Sequence, residues 1–150
     1  MGTLIGLTNE EIRKTAVEFE HSEYGFIRIL HPTLVLKSRI VNLHRLQSKR
    51  DTNGIEQARL AVLVAKAFFE NYISLGLAGT NPDRYLIDRV KWLGKLALSD
   101  AGIYAFAQWG IDVMGAAPRN LITNKKFHAE HWPRLDSRIR AKRDRRLGTI

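Results

Sequence analysis

The chain has 150 residues, enough for one domain, and 45% of them are hydrophobic, which excludes disorder over its whole length. It has no cysteine, and that removes disulfide frameworks, thiol catalysis and cysteine-ligated metal together. The 24 Lys and Arg against 15 Asp and Glu give a net charge of +9. The excess is concentrated in residues 116–150, which hold 10 basic and 3 acidic side chains, and such asymmetry points to a polyanionic partner.

Residues 1–7 form only a short apolar stretch before acidic residues begin, too short for a signal-peptide core, so the expected location is cytoplasmic. "TNEE" sets Thr8 and Glu11 at capping-box spacing, and Ile12, Ala16 and Phe19 follow at i, i+4 and i+7. This spacing predicts a first helix over 9–21. The next stretch, "HSEYGFIRILHP", fits either a short strand or a bent approach to the following helix. Pro32 suits the first turn of a helix running to Arg50, with Leu36, Ile40, Leu43 and Gln47 in register. "DTNG" at 51–54 reads as a turn that tolerates left-handed backbone.

From Leu60 to Phe69 only Lys66 is polar, so apolar residues surround the axis of a helix centred on 55–77. Such a helix is expected at the middle of its bundle. Gly76 and Gly79 end it, Asn81 caps the next, and Pro82 and Asp83 enter that helix's first turn. Leu86, Val90 and Leu93 then share one face. Ser99 and Asp100 open a segment rich in aromatic and small residues, which Gly115 and Pro118 close. Lys66 and Glu70 in one apolar stretch, and Asp100 and Asp112 in the other, argue for buried helices rather than membrane spans.

The C-terminal part carries the strongest functional signal. Pro133 marks a helix start and Gly148 its end, and Arg134, Arg138, Lys142 and Arg145 fall at i, i+4, i+8 and i+11 as one basic stripe. Leu135, Ile139 and Leu147 supply a narrow apolar line, and Asp136 reaches Arg140 at i+4. Phe127 and Trp132 stand beside Lys125 and Lys126, and aromatics interleaved with cations are what single-stranded nucleic acid requires. The expected phosphate contacts are Lys125, Lys126, Arg134, Arg138, Lys142, Arg143, Arg145 and Arg146, with Phe127 and Trp132 stacking on bases. No base-reading module is present, so binding is expected to ignore sequence. A tail docked on an acidic protein neighbour is the competing explanation.

Two further patterns bear on chemistry. "HAEH" places His128 and His131 three apart, yet a zinc site needs a third ligand and the spacing is not that of the metalloproteases, so no metal is expected. "RIVNLH" separates Arg39 from His44 by four residues, which resembles the short RNase motif of HEPN-type helical toxins. The resemblance covers six residues and implies His44 acting at a 2′-hydroxyl with Arg39 on phosphate, although Ile40 stands where the family carries a polar residue. Glu18, Glu20 and Glu23 make an acidic cluster suited to docking a basic partner.

Together these readings give an all-α fold. A compact bundle of about five helices occupies 1–117, and 118–150 forms a basic C-terminal helix or arm. The expected function is a non-catalytic accessory or architectural protein, without cofactor, that binds DNA or RNA within a larger assembly. A structural subunit of a protein machine is the alternative, and a HEPN-like RNase the third reading.

Overall fold

The computed structural model describes residues 6–148; the first five residues of the apolar N-terminal stretch lie outside them. The described chain is mostly helical, with one two-stranded antiparallel sheet. No helix among the described residues is long and apolar enough to cross a membrane.

Helix α1 spans Asn9–Thr15 and opens on the capping box, where Thr8 accepts from the Glu11 N–H and Glu11 accepts from the Thr8 N–H. It ends six residues before the position expected from the sequence. From Val17 apolar and polar residues alternate with a period of two, and this pattern prevails over the helical spacing of Ile12, Ala16 and Phe19. Strand β1, Val17–His21, pairs with β2, Gly25–Ile29, placing Val17 opposite Ile29 and Glu18 opposite Arg28. Gly25 takes φ +71° at the turn, a left-handed conformation that glycine adopts without strain.

Helix α2, Pro32–Arg45, starts on His31, whose Nδ1 accepts from the Thr33 N–H. It stops five residues short of Arg50 because Arg50 folds back and donates to the last carbonyls, Leu43 O and His44 O, both at 2.8 Å. Helix α3, Thr52–Ser74, then begins inside the stretch expected to be a turn. Asp51 accepts from the Gly54 N–H at 2.7 Å, so "DTNG" is a helix start and not a left-handed loop.

Helix α4, Pro82–Leu98, is capped by Asn81 as its sequence indicates, and α5, Asp100–Trp109, by Ser99. The corner between α4 and α5 is tight enough that a β-carbon on Gly102 would lie 2.1 Å from Leu96 O. Helix α5 ends at Gly110 (φ +64°), and short 3₁₀ turns follow at Val113–Ala116 and Arg119–Leu121. A π-helical turn over Phe127–His131 leads into α6, Trp132–Gly148. Pro133 has no N–H to return to the preceding turn and its ring crowds the carbonyl there, which accounts for the widened turn.

The core lies between α2, α4 and α5, with α3 along one side. Leu36, Ile40 and Leu43 of α2 and Leu86, Val90 and Leu93 of α4 are at most 1% exposed. Helix α3 corrects the expectation that it would be central. It buries only Ala58, Ala61, Ala65 and Phe69, and turns Leu60, Leu63 and Val64 to solvent. Its alanines let it approach α2 closely, Ile55, Val62, Phe68 and Ile73 pack at the core's edge, and Leu60, Leu63 and Val64 are left outside. Phe127 and Ile139, both 2% exposed, join the same core from the C-terminal part.

Candidate nucleic-acid interface

Helix α6 lies against α4 and α5. Ile139 anchors it, and Leu135 packs where Gly94 leaves room, since a β-carbon there would meet the leucine at 2.8 Å. Lys142 Nζ donates to Leu98 O, an end carbonyl of α4, where a cation also complements the helix dipole. Arg143 lies over the Phe106 ring, 3.8 Å from its centroid, and donates to Asp112 at 2.7 Å. Asp136 holds Arg140 at 2.9 Å, as the i, i+4 spacing predicts.

These contacts divide the ten residues singled out by sequence. Lys125, Lys126, Arg134, Arg138, Arg145 and Arg146 are exposed. Arg143 is only 11% exposed in its side chain and spent on Asp112, so it serves the fold instead of a phosphate. Phe127 is a core residue with no free ring face, which corrects its assignment as a base-stacking side chain. Trp132 is half-buried, and the Arg119 guanidinium covers it at 4.1 Å. Both histidines, His128 and His131, are exposed, and His128 Nε2 bonds Ile122 O at 2.7 Å. Among the described residues no group of three or more potential ligands is arranged to hold a metal.

The exposed cations of α6 belong to a larger surface. A cleft of about 650 Å³ is lined by Lys37, His44, Arg45, Lys95 and Asp100. A second, of about 410 Å³, shares His44 and Asp100 and adds Tyr104, Lys142, Arg145 and Arg146. A third, of about 300 Å³, shares Lys142 and Arg145 and adds Arg138. The connected clefts thus present seven Lys or Arg side chains and two carboxylates, Glu11 and Asp100. Glu11 is already engaged by Lys37 at 2.7 Å. Burial acts to raise its carboxyl pKa, but the bonds from Lys37 and Thr8 outweigh it and hold the group below the usual range.

Sequence reasoning missed Lys37, Arg45, Lys95 and Tyr104. Arg45 and Lys95 were legible in one respect, since each stands in the last turn of its helix. Nothing in their spacing connects them to residues 138–146. Tyr104 and Trp92 are aromatic side chains of these clefts; Tyr104 packs at 5.3 Å from His44, edge-on to Trp109, with the Arg50 guanidinium 5.1 Å from its ring centroid. Arg39 and His44 line different cavities, His44 the basic clefts and Arg39 an apolar one beside Leu60 and Val64. Five residues along a helix rotate about 140° around its axis, which separates them.

Comparison with protein-family models, curated proteins and solved structures finds no match.

Proposed function

We propose that this protein is a non-catalytic accessory protein that binds nucleic acid along the connected basic clefts, without reading its sequence and within a larger assembly. The observation that carries this reading is the convergence of cations from α2, α4 and α6 on adjoining clefts that hold only two carboxylates. Phosphates engage Lys95, Arg138 and Arg145, while Lys142 and Arg143 hold α6 in place. Tyr104 replaces Phe127 as the aromatic partner for a base. Affinity then comes from charge neutralisation and counterion release, which discriminates poorly between sequences.

The test is fluorescence anisotropy of labelled single- and double-stranded oligonucleotides over a salt series. Full-length variants are required, because truncation at 117 would remove the core residues Ile122, Phe127 and Ile139. Replacing Lys95, Arg138 and Arg145 by Gln lowers the salt slope by about 0.7 per lost contact on single strands and about 0.9 on duplex. Arg143→Ala weakens the fold and leaves the slope unchanged. Binding with an unaltered slope in the triple variant refutes the reading.

A second reading, a subunit of a protein machine, draws on a different surface. Leu60, Leu63 and Val64 are 58%, 63% and 48% exposed, and Leu60 and Val64 line an apolar cavity with Ile29, Leu30 and Val35, an arrangement suited to burial against another protein.

A further inference from the structure

A cavity of about 410 Å³ opens where the α1–β1 junction meets α2, α3 and α4, and shares no residue with the basic clefts. One wall is aromatic. Phe68 and Tyr72 stack at 5.4 Å, Tyr72 and Tyr85 at 4.8 Å, and His31 meets Phe68 edge-on at 4.7 Å. The polar groups are His31, Tyr85, Arg89 and the Tyr72 hydroxyl, with Lys14, Glu18 and Thr15, whose hydroxyl donates to Glu11 O, at the α1–β1 side.

Their hydrogen bonding leaves donors without acceptors. His31 Nδ1 accepts from the Thr33 N–H at 3.2 Å and lies 2.7 Å from Thr33 Oγ1, so its lone pair is on Nδ1 and its proton on Nε2. That Nε2–H faces the Tyr85 oxygen at 3.5 Å. Tyr85 therefore receives from histidine and keeps its own proton to donate. Burial, reinforced by Tyr72 and opposed by Arg89, pushes the phenol up to about 12, so that proton stays in place at neutral pH. Burial, with the Arg89 charge adding to it, pushes His31 down to about 4 and keeps the imidazole neutral.

Arg89 stands one helical turn beyond Tyr85. Its Nε is buried with no hydrogen-bond partner, and it joins no ion pair among the described residues. Glu18 lines the same cavity but pairs with Arg28 at 3.6 Å. A guanidinium with a buried, unsatisfied N–H, a phenol with a proton to give and a neutral imidazole thus converge beside an aromatic wall. Oxygen acceptors bearing negative charge are what this set lacks.

We propose that this cavity binds a small aromatic oxyanion, a carboxylate or phosphate ester carried on a single ring, with its oxygens on Arg89 and Tyr85 and its ring against Phe68 and Tyr72. The volume suits one ring with its anionic group, at the small end of the roughly 300–1,000 Å³ range of ligand sites. A guanidinium fork matches both oxyanions, so the two sources are separated by experiment.

The full-length protein is titrated with benzoate, phenyl phosphate, inorganic phosphate and benzylamine, following backbone amide NMR shifts. Benzoate or phenyl phosphate, whichever binds more tightly naming the source, gives saturable shifts at residues 31–33, 68–72 and 85–89. Inorganic phosphate and benzylamine bind on the order of tenfold more weakly, the loss of one good contact. Arg89→Gln weakens the aromatic anion on the order of tenfold, and Tyr85→Phe by several-fold. Arg89→Lys, which keeps the charge and loses the fork, stands in if the glutamine variant does not fold, and must also bind more weakly. No saturable shift up to about 10 mM, a Kd of negligible affinity, overturns the proposal. So does benzylamine binding as tightly as benzoate, or undiminished binding by the folded Arg89 variants. Arg138→Gln and Arg145→Gln leave this titration unchanged, so its outcome is independent of the nucleic-acid reading.

Discussion

Helices α3 and α6 were expected in opposite places. Helix α3 is apolar on nearly every side yet buries only three alanines and one phenylalanine, and leaves Leu60, Leu63 and Val64 outside. Helix α6 is strongly basic yet is seated by Ile139, by Leu135 over Gly94, and by Lys142 and Arg143 bonded to main-chain and carboxylate oxygens. Total hydrophobicity decided neither position. What decided them was how closely one face can approach: small residues bring α3 against α2, and a glycine on α4 opens a slot for a single leucine of α6.

Breaking the anchorage of the C-terminal part has the largest expected effect. Phe127→Ala lowers unfolding free energy by about 3–5 kcal/mol, the range for a truncated core phenylalanine, and leaves the salt slope of oligonucleotide binding unchanged. Urea denaturation measures the first and anisotropy the second. An ordinary surface aromatic would give the reverse pattern, a small stability change with weakened binding.

The next effect is set by pH and sharpens the contrast with the α1–α4 side of the molecule. His31 titrates at 6.5 when unfolded and near 4 when folded, so the unfolded chain binds the proton first. Stability is therefore full above pH 6.5, falls between pH 6.5 and about 4, and levels off below, a loss of up to about 3 kcal/mol. His31→Asn, which can still accept from Thr33, flattens that window. Glu11 and Asp83, both held below their ordinary values, lose their contributions only at lower pH. A denaturation series from pH 4 to 7 on both proteins checks this, and parallel curves refute it.

The smallest expected effect belongs to α3. Leu63→Gln changes stability by no more than about 0.5 kcal/mol, because the side chain is already 63% exposed. A loss of several kcal/mol would mean that this face is covered in solution, and sedimentation of the wild-type chain would then show association.

Apart from that of α3 at Asp51, the helix starts were the most legible part of the sequence. Thr8 with Glu11, Pro32, Asn81 with Pro82, and Ser99 all begin helices where their chemistry says they should, since a cap is satisfied by N–H groups two or three residues away. The stops were harder. Helix α1 yields to a hairpin whose pairing is non-local, and α2 ends where Arg50 returns to cap it, a contact six or seven residues distant. Among the candidate site residues, the basic stripe at Arg138, Lys142 and Arg145 was readable from helical spacing, and those three do line one cleft. Phe127 and Arg143 were not, because composition counts an aromatic or a cation without knowing what lies opposite.

The sequence by itself determined the mostly helical character, the capped starts and the concentration of positive charge after residue 116, all of which depend on neighbours within about one turn of helix. Only the tertiary structure decided that Lys37, His44, Arg45 and Lys95 join the cations of α6, and that His31, Tyr85 and Arg89 share a cavity with Phe68 and Tyr72. Those meetings bring together side chains tens of residues apart. They depend on which helix faces pack, and in this chain alanines and glycines select those faces.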